Sequence, residues 1–217
     1  MSWGTERAYR YACHPWHPTQ TMSGFWHALT QLGDSRWLLP MATTFALCLP
    51  RTMASLRWRW IVAIAAIASI TLLSKVAFMG WGVGIPAWDF TGISAHAAMS
   101  GVIYPLVAVL LIAPHAQLRR PALFIGIALA VAIAYSRLPL RAHSPSEIIT
   151  GCLLGMSAAL WTLRGNAGLQ RPPAPGILLS AALGAVVPIA LPHVHTHDVV
   201  IAAAKQISGH TEIHARP

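Results

Sequence analysis

The sequence predicts an all-α, polytopic membrane bundle of about six transmembrane helices plus one N-terminal interfacial helix, and three observations predict it. Of 217 residues, 55% are hydrophobic and only 10% charged, with a mean hydropathy of +0.56, too apolar for an ordinary soluble domain. Six apolar runs, near 37–50, 59–79, 97–113, 121–135, 146–163 and 176–192, approach the roughly 20 residues that a helix needs to cross the hydrocarbon layer. Stretches rich in Pro, Gly and Arg separate them. No internal repeat is visible, so residues 1–217 read as one domain.

Residues 22–35, with Phe25, Trp26, Leu29 and Leu32, are too short to span and suit a surface-lying amphipathic helix. The N-terminus, from Met1 to Arg10, is polar and has no apolar h-region, so no cleavable signal peptide is expected. Between the spans, Arg51, Arg57 and Arg59, then Arg119 and Arg120, then Arg164 and Arg171 make three basic links without acidic residues. These links alternate along the chain and therefore share a side, which the positive-inside rule places in the cytoplasm. The links around 75–96 and 136–145 then face outward, with both tails. Trp58, Trp60 and Trp81 are expected as interfacial belt residues.

The net charge of +9 does not form one continuous stripe, so it reads as topology signal and not as a nucleic-acid footprint. Cys13, Cys48 and Cys152 are odd in number and scattered, which indicates neither a disulfide framework nor a thiolate zinc site.

Ionisable residues at span edges are costly and hence functional candidates. Lys75, the only lysine before Lys205, ends the second span; Ser94-Ala95-His96 opens the third; Arg137 closes the fourth; His143 and Glu147 open the fifth. Helix parity alone puts Lys75, His96, Arg137, His143 and Glu147 at one depth on one face. Glu147 is the only acidic residue between Thr91 and His197, so this group stays net positive and should attract an anion.

These residues resemble the type 2 phosphatidic acid phosphatases, relatives of the vanadium haloperoxidases, over roughly residues 59–163. The family's third motif is Ser-Arg, five residues, His, three residues, Asp; here Ser136-Arg137-Leu-Pro-Leu-Arg-Ala-His143-Ser-Pro-Ser-Glu147 fits with Glu for Asp, and Ile-Ile-Thr-Gly151 continues the likeness. The second motif, Pro-Ser-Gly-His, stands as Ile93-Ser94-Ala95-His96. The first, Lys, six residues, Arg-Pro, retains Lys75 but has Gly82-Val83 at its end, and Arg141 or a tail residue is expected to replace the missing cation.

The resemblance implies a metal-independent lipid phosphatase with no cofactor, acting on a lipid phosphate within the bilayer. It implies His143 as nucleophile forming a phosphohistidine, Glu147 orienting it, and His96 as proton donor to the leaving alkoxide. Lys75 and Arg137 would clamp phosphate, assisted by Ser94 and the backbone near Ala95. The expected location is a bacterial inner membrane with the site on the exterior, periplasmic face. A lipid phosphotransferase with the same intermediate stays open, as does a non-catalytic membrane protein or transporter with a decayed site; ionisable groups at span ends without repeats disfavour transport.

Plainer roles compete at several positions. Ser144-Pro145-Ser146-Glu147 has the spacing of a capping box, so Glu147 could close a helix start and nothing more. Ser94 could be only an N-cap, and Arg141 only an interfacial anchor. No metal site is expected; His193, His195 and His197 are weak candidates within what reads as an exposed, soluble tail.

Overall fold

A computed structural model describes residues 20–165, 168–191 and 196–215. Among them the secondary structure is helical, with one isolated bridge between Ile85 and Phe90. Eight α-helices follow in order: α1 (Gln20–Gln31), α2 (Ser35–Leu47), α3 (Ala54–Trp81), α4 (Ala95–Leu111), α5 (Arg119–Tyr135), α6 (Pro145–Leu163), α7 (Ala174–Ala190) and α8 (Thr196–Ser208). Each of the six apolar runs is a helix. Three helical stretches, Arg51–Trp81, Ala116–Tyr135 and Pro145–Leu163, are long and apolar enough to cross a membrane, and α4 and α7 are shorter apolar helices. Large apolar side chains such as Leu73, Phe124, Ile125, Leu153 and Leu178 stand on the outside of the bundle, as a hydrocarbon surround requires.

Within a bilayer, helices gain little from burying apolar surface, so close backbone approach must hold them together. The α4–α6 contact is built that way. Gly151 and Gly155 stand one turn apart on α6, facing Ala97, Ala98 and Gly101 of α4. A Cβ at Gly151 would meet the Ser94 carbonyl at 2.7 Å, and one at Gly155 would collide with that of Ala98. This crossing fixes the relative position of the two helix starts that carry His96 and the His143 segment. The main core lies below it, where Leu38, Leu56, Trp60, Ile67, Ile103 and Leu106 are fully or almost fully buried.

Two expectations are corrected. Trp60 is not a belt residue: it is 0% exposed and packs edge-on against Phe45, with ring centroids 5.8 Å apart. Nor is the C-terminal region simply an exposed tail, because α8 lies along the end of α3 and buries Val200 and Ala204 against Val76. The sequence of α8 allows this because Val200 and Ala204 stand four residues apart, on one face of the helix. The N-terminal helix forms as expected but ends at Gln31, and Trp26 packs edge-on against Tyr135 at the end of α5.

The three basic links gather at one end of the bundle. Arg59 donates to the Arg164 carbonyl at 2.7 Å, Arg119 to the carbonyls of Ala113 and Leu169, and Arg57 to that of Leu49. Lys75, His96, Arg137 and His143 belong to the opposite helix ends.

Candidate active site

At that opposite end, a cavity of about 440 Å³ is lined by Lys75, Ala95, His96, Arg137, Ala142 and His143, and further down by apolar side chains. Five residues picked from sequence, Lys75, Ala95, His96, Arg137 and His143, thus line one cavity, contributed by α3, α4 and the α5–α6 turn.

The turn is shaped locally. Ser136 donates its hydroxyl to the Ile133 carbonyl at 2.6 Å as α5 ends, and Ala142 N–H returns to the Arg137 carbonyl at 3.0 Å. Arg141 takes a left-handed conformation, φ 52°, which turns the chain back so that His143 precedes α6. Arg141 itself is exposed and does not line the cavity, and of its two readings, substitute cation and interfacial anchor, this placement suits the anchor.

Glu147 organises the histidine. Its Oε2 accepts from His143 Nδ1 at 2.6 Å and from Ser144 N–H at 3.3 Å. Its Oε1 accepts from both the N–H and the hydroxyl of Thr91, at 2.7 and 2.6 Å. The capping box is present, with Ser144 Oγ accepting from Glu147 N–H at 3.5 Å, yet the carboxylate carries three further bonds that a cap does not need. Glu147 is 1% exposed. With Nδ1 held as a donor to the carboxylate, Nε2 is the nitrogen left for the cavity side. Burial pushes the His143 imidazole below the ordinary histidine value, against the upward pull of the Glu147 bond, and Lys75 and Arg137 push it the same way as burial.

Arg137 donates from Nη1 to Thr30 Oγ1 of α1 at 2.8 Å, while its Nε is buried without a hydrogen-bond partner among the described residues. Such a donor beside a cavity suits an anion. Ser94, the N-cap of α4, is 0% exposed; its N–H donates to the Glu147 carbonyl at 3.2 Å, and its hydroxyl makes no cap bond and lies outside the cavity lining. Gly82, where the first motif would carry Arg, closes α3 in a left-handed conformation, φ 68°, its N–H returning to the Phe78 carbonyl at 2.7 Å. That position serves as a helix stop, since a residue with a Cβ rarely adopts it.

Sequence reading missed Thr30, Thr91 and Asp34. Thr30 and Thr91 carry no charge and lie 107 and 56 residues from their partners, so no spacing rule points to them. Asp34 caps α2 and pairs with Arg36 at 2.7 Å. Burial alone would raise its carboxyl, but the Arg36 hydrogen bonds and charge outweigh burial and hold it below the usual range. Of the metal candidates, His193 and His195 lie outside the described residues, as does the His197 side chain. No group of three or more His, Cys, Asp or Glu side chains gathers among the described residues.

A carboxylate-bonded imidazole thus lines one cavity with two cations and a second imidazole in a helical membrane bundle. Residues 39–171, more than half of the chain, match the PAP2 superfamily, and the chain belongs to that family. It is also similar to a Klebsiella pneumoniae protein described as "Uncharacterized 22.5 kDa protein in cps region", with 41% identity over 137 residues, 62% of this chain and 66% of that protein. The chain therefore spans just under two thirds of that relative's length. No solved structure matches it.

Proposed function

We propose that this protein is a membrane phosphatase that removes phosphate from a lipid through a phosphohistidine on His143. One observation carries the reading: His143, oriented by Glu147, shares a single cavity with His96, Lys75 and Arg137. The Nε2 lone pair of His143 attacks phosphorus and forms an N–P bond as the P–O bond to the alcohol breaks. His96 gives its proton to the departing alkoxide, then takes one from water, which attacks phosphorus, breaks the N–P bond and releases inorganic phosphate. Lys75 and Arg137 neutralise the equatorial oxygens throughout, so turnover is expected to survive strong chelation and to be blocked by vanadate.

A lipid is favoured by the shape of the cavity. Its cations stand at the helix ends, whereas Leu39, Ala68, Leu72 and Met99 line it one or two turns deeper along α2, α3 and α4. Ala68 lies seven residues below Lys75 on α3, about 10 Å along the axis. A phosphate in the headgroup layer with its chain in hydrocarbon fits that gradient. The basic links at the other end support, by the positive-inside rule, a site on the exterior face of a bacterial inner membrane.

The two histidines are tested by changing the leaving group. His143→Ala should lose all turnover and all covalent phosphate. His96→Ala should be nearly inert toward an alkyl ester, but an aryl phosphate with an acidic phenol needs little protonation, so it should give a burst of phenol and an acid-labile phosphoenzyme that decays slowly. Equal defects on both esters without a burst would remove His96 from proton transfer. Phosphoenzyme in His143→Ala would show that the nucleophile is another residue.

A further inference from the structure

We infer that α8 supplies a wall of the site that holds the hydrocarbon chain of the substrate, with Val199 and Val200 as specificity-determining residues. The inference rests on the lipid phosphatase reading and adds to it an element outside the family-matched residues 39–171.

Three observations carry it. Val199 and Val200 line the same cavity as His143 and Lys75, so α8 reaches the site itself. Their placement on the cavity is fixed by packing: Val200 is 5% exposed and lies against Val76, while further along, Gly80 is approached by the Ala204 carbonyl and the Ser208 side chain. Numbers therefore rise together on α3 and α8, the two helices run parallel, and the valines at the earlier end of α8 sit level with Val76, beside Lys75. From there the cavity lining continues along α3 through Leu72 and Thr71, one turn deeper, to Ala68.

The C-terminal segment is anchored beyond α8 as well. His214 N–H donates to the Met79 carbonyl at 2.8 Å, and His210 Nδ1 lies 2.8 Å from the Gly80 carbonyl. Both contacts use carbonyls at the end of α3, where helical partners run out. Val199, in contrast, is 56% exposed, with its side chain in the cavity lining and not committed to the core. A held helix presenting an uncommitted apolar side chain beside an anion site matches one occupant, the alkyl chain attached to the bound phosphate.

Val199→Trp in the full chain tests this, because a larger side chain at an exposed position fills the tail region. The ratio of kcat/KM for hexadecyl phosphate over butyl phosphate should fall by about tenfold or more. A second arm needs no turnover: Val199→Cys, with Cys13, Cys48 and Cys152 changed to Ala, is labelled with a maleimide in detergent. Hexadecyl phosphate should protect the thiol, and inorganic phosphate should not. An unchanged ratio in a folded Val199→Trp protein, or labelling indifferent to hexadecyl phosphate, overturns the α8 wall. Protection without turnover of any ester keeps the tail site and rejects the phosphatase reading instead.

Discussion

The two ends of the bundle both hold buried or half-buried cations, yet they use them differently. At the basic end, Arg57, Arg59 and Arg119 donate to the carbonyls of Leu49, Arg164 and Ala113, which lie where α2, α6 and α4 run out. Those carbonyls have no intrahelical partner and carry the negative end of the helix dipole, so an arginine there completes the helix as well as marking the side. At the cavity end, Arg137 and His143 are held by side chains, Thr30 and Glu147, while Lys75 and His96 face the cavity beside them. Charges bonded to backbone are committed to structure. Charges oriented by other side chains around an open volume are arranged for a ligand.

That contrast is broken or sharpened by four measurements. The largest effect is expected from Glu147→Gln, which keeps volume and some capping but removes the charge that fixes the His143 tautomer; turnover should fall on the order of a hundredfold. The circular dichroism and melting curve should stay close to wild type, and wild-type turnover would reduce Glu147 to a cap.

A pH profile comes next. Attack needs neutral His143, and a lowered imidazole value keeps that form dominant as pH falls through the usual 6.5, so the acid limb of phosphoenzyme formation should lie below 6.5. One unit below that value, an unperturbed imidazole would already have lost about tenfold in neutral form. A limb at or above 6.5 would mean that burial does not set the nucleophile.

Thr30→Val removes one hydrogen bond to the clamp without touching its charge. We expect KM and the vanadate inhibition constant to rise about fivefold, the scale of one such bond, with kcat nearly constant. A fall in kcat alone would assign Thr30 to packing.

The smallest effect is expected from Arg59→Ala. Its bond to the Arg164 carbonyl is exposed, so the loss should be below about 1 kcal/mol of stability, with turnover within about twofold of wild type. A large loss of turnover would show that the two ends are coupled and that the comparison fails.

By itself the sequence determined the class of architecture and picked out the charged residues that the fold gathers at one cavity, where the proposed site lies. Length and hydropathy suffice for helical spans because a backbone in hydrocarbon must satisfy its own hydrogen bonds, and the Arg-rich links fix which ends share a side. His143, Glu147 and Arg137 were legible because the groups that orient an imidazole fall at fixed spacing around one helix start, and His96 and Lys75 because charge at a span edge is rarely idle. Tertiary structure alone decided that Thr30 holds Arg137, that Thr91 holds Glu147, that Trp60 is core, and that α8 reaches the cavity. Each of these contacts has at least one neutral or apolar partner, brought from a distant part of the chain. Nothing in their composition distinguishes them from ordinary helix residues; they are set by how closely the glycine face of α6 lets α4 approach, and by where the chain ends come to lie around that crossing.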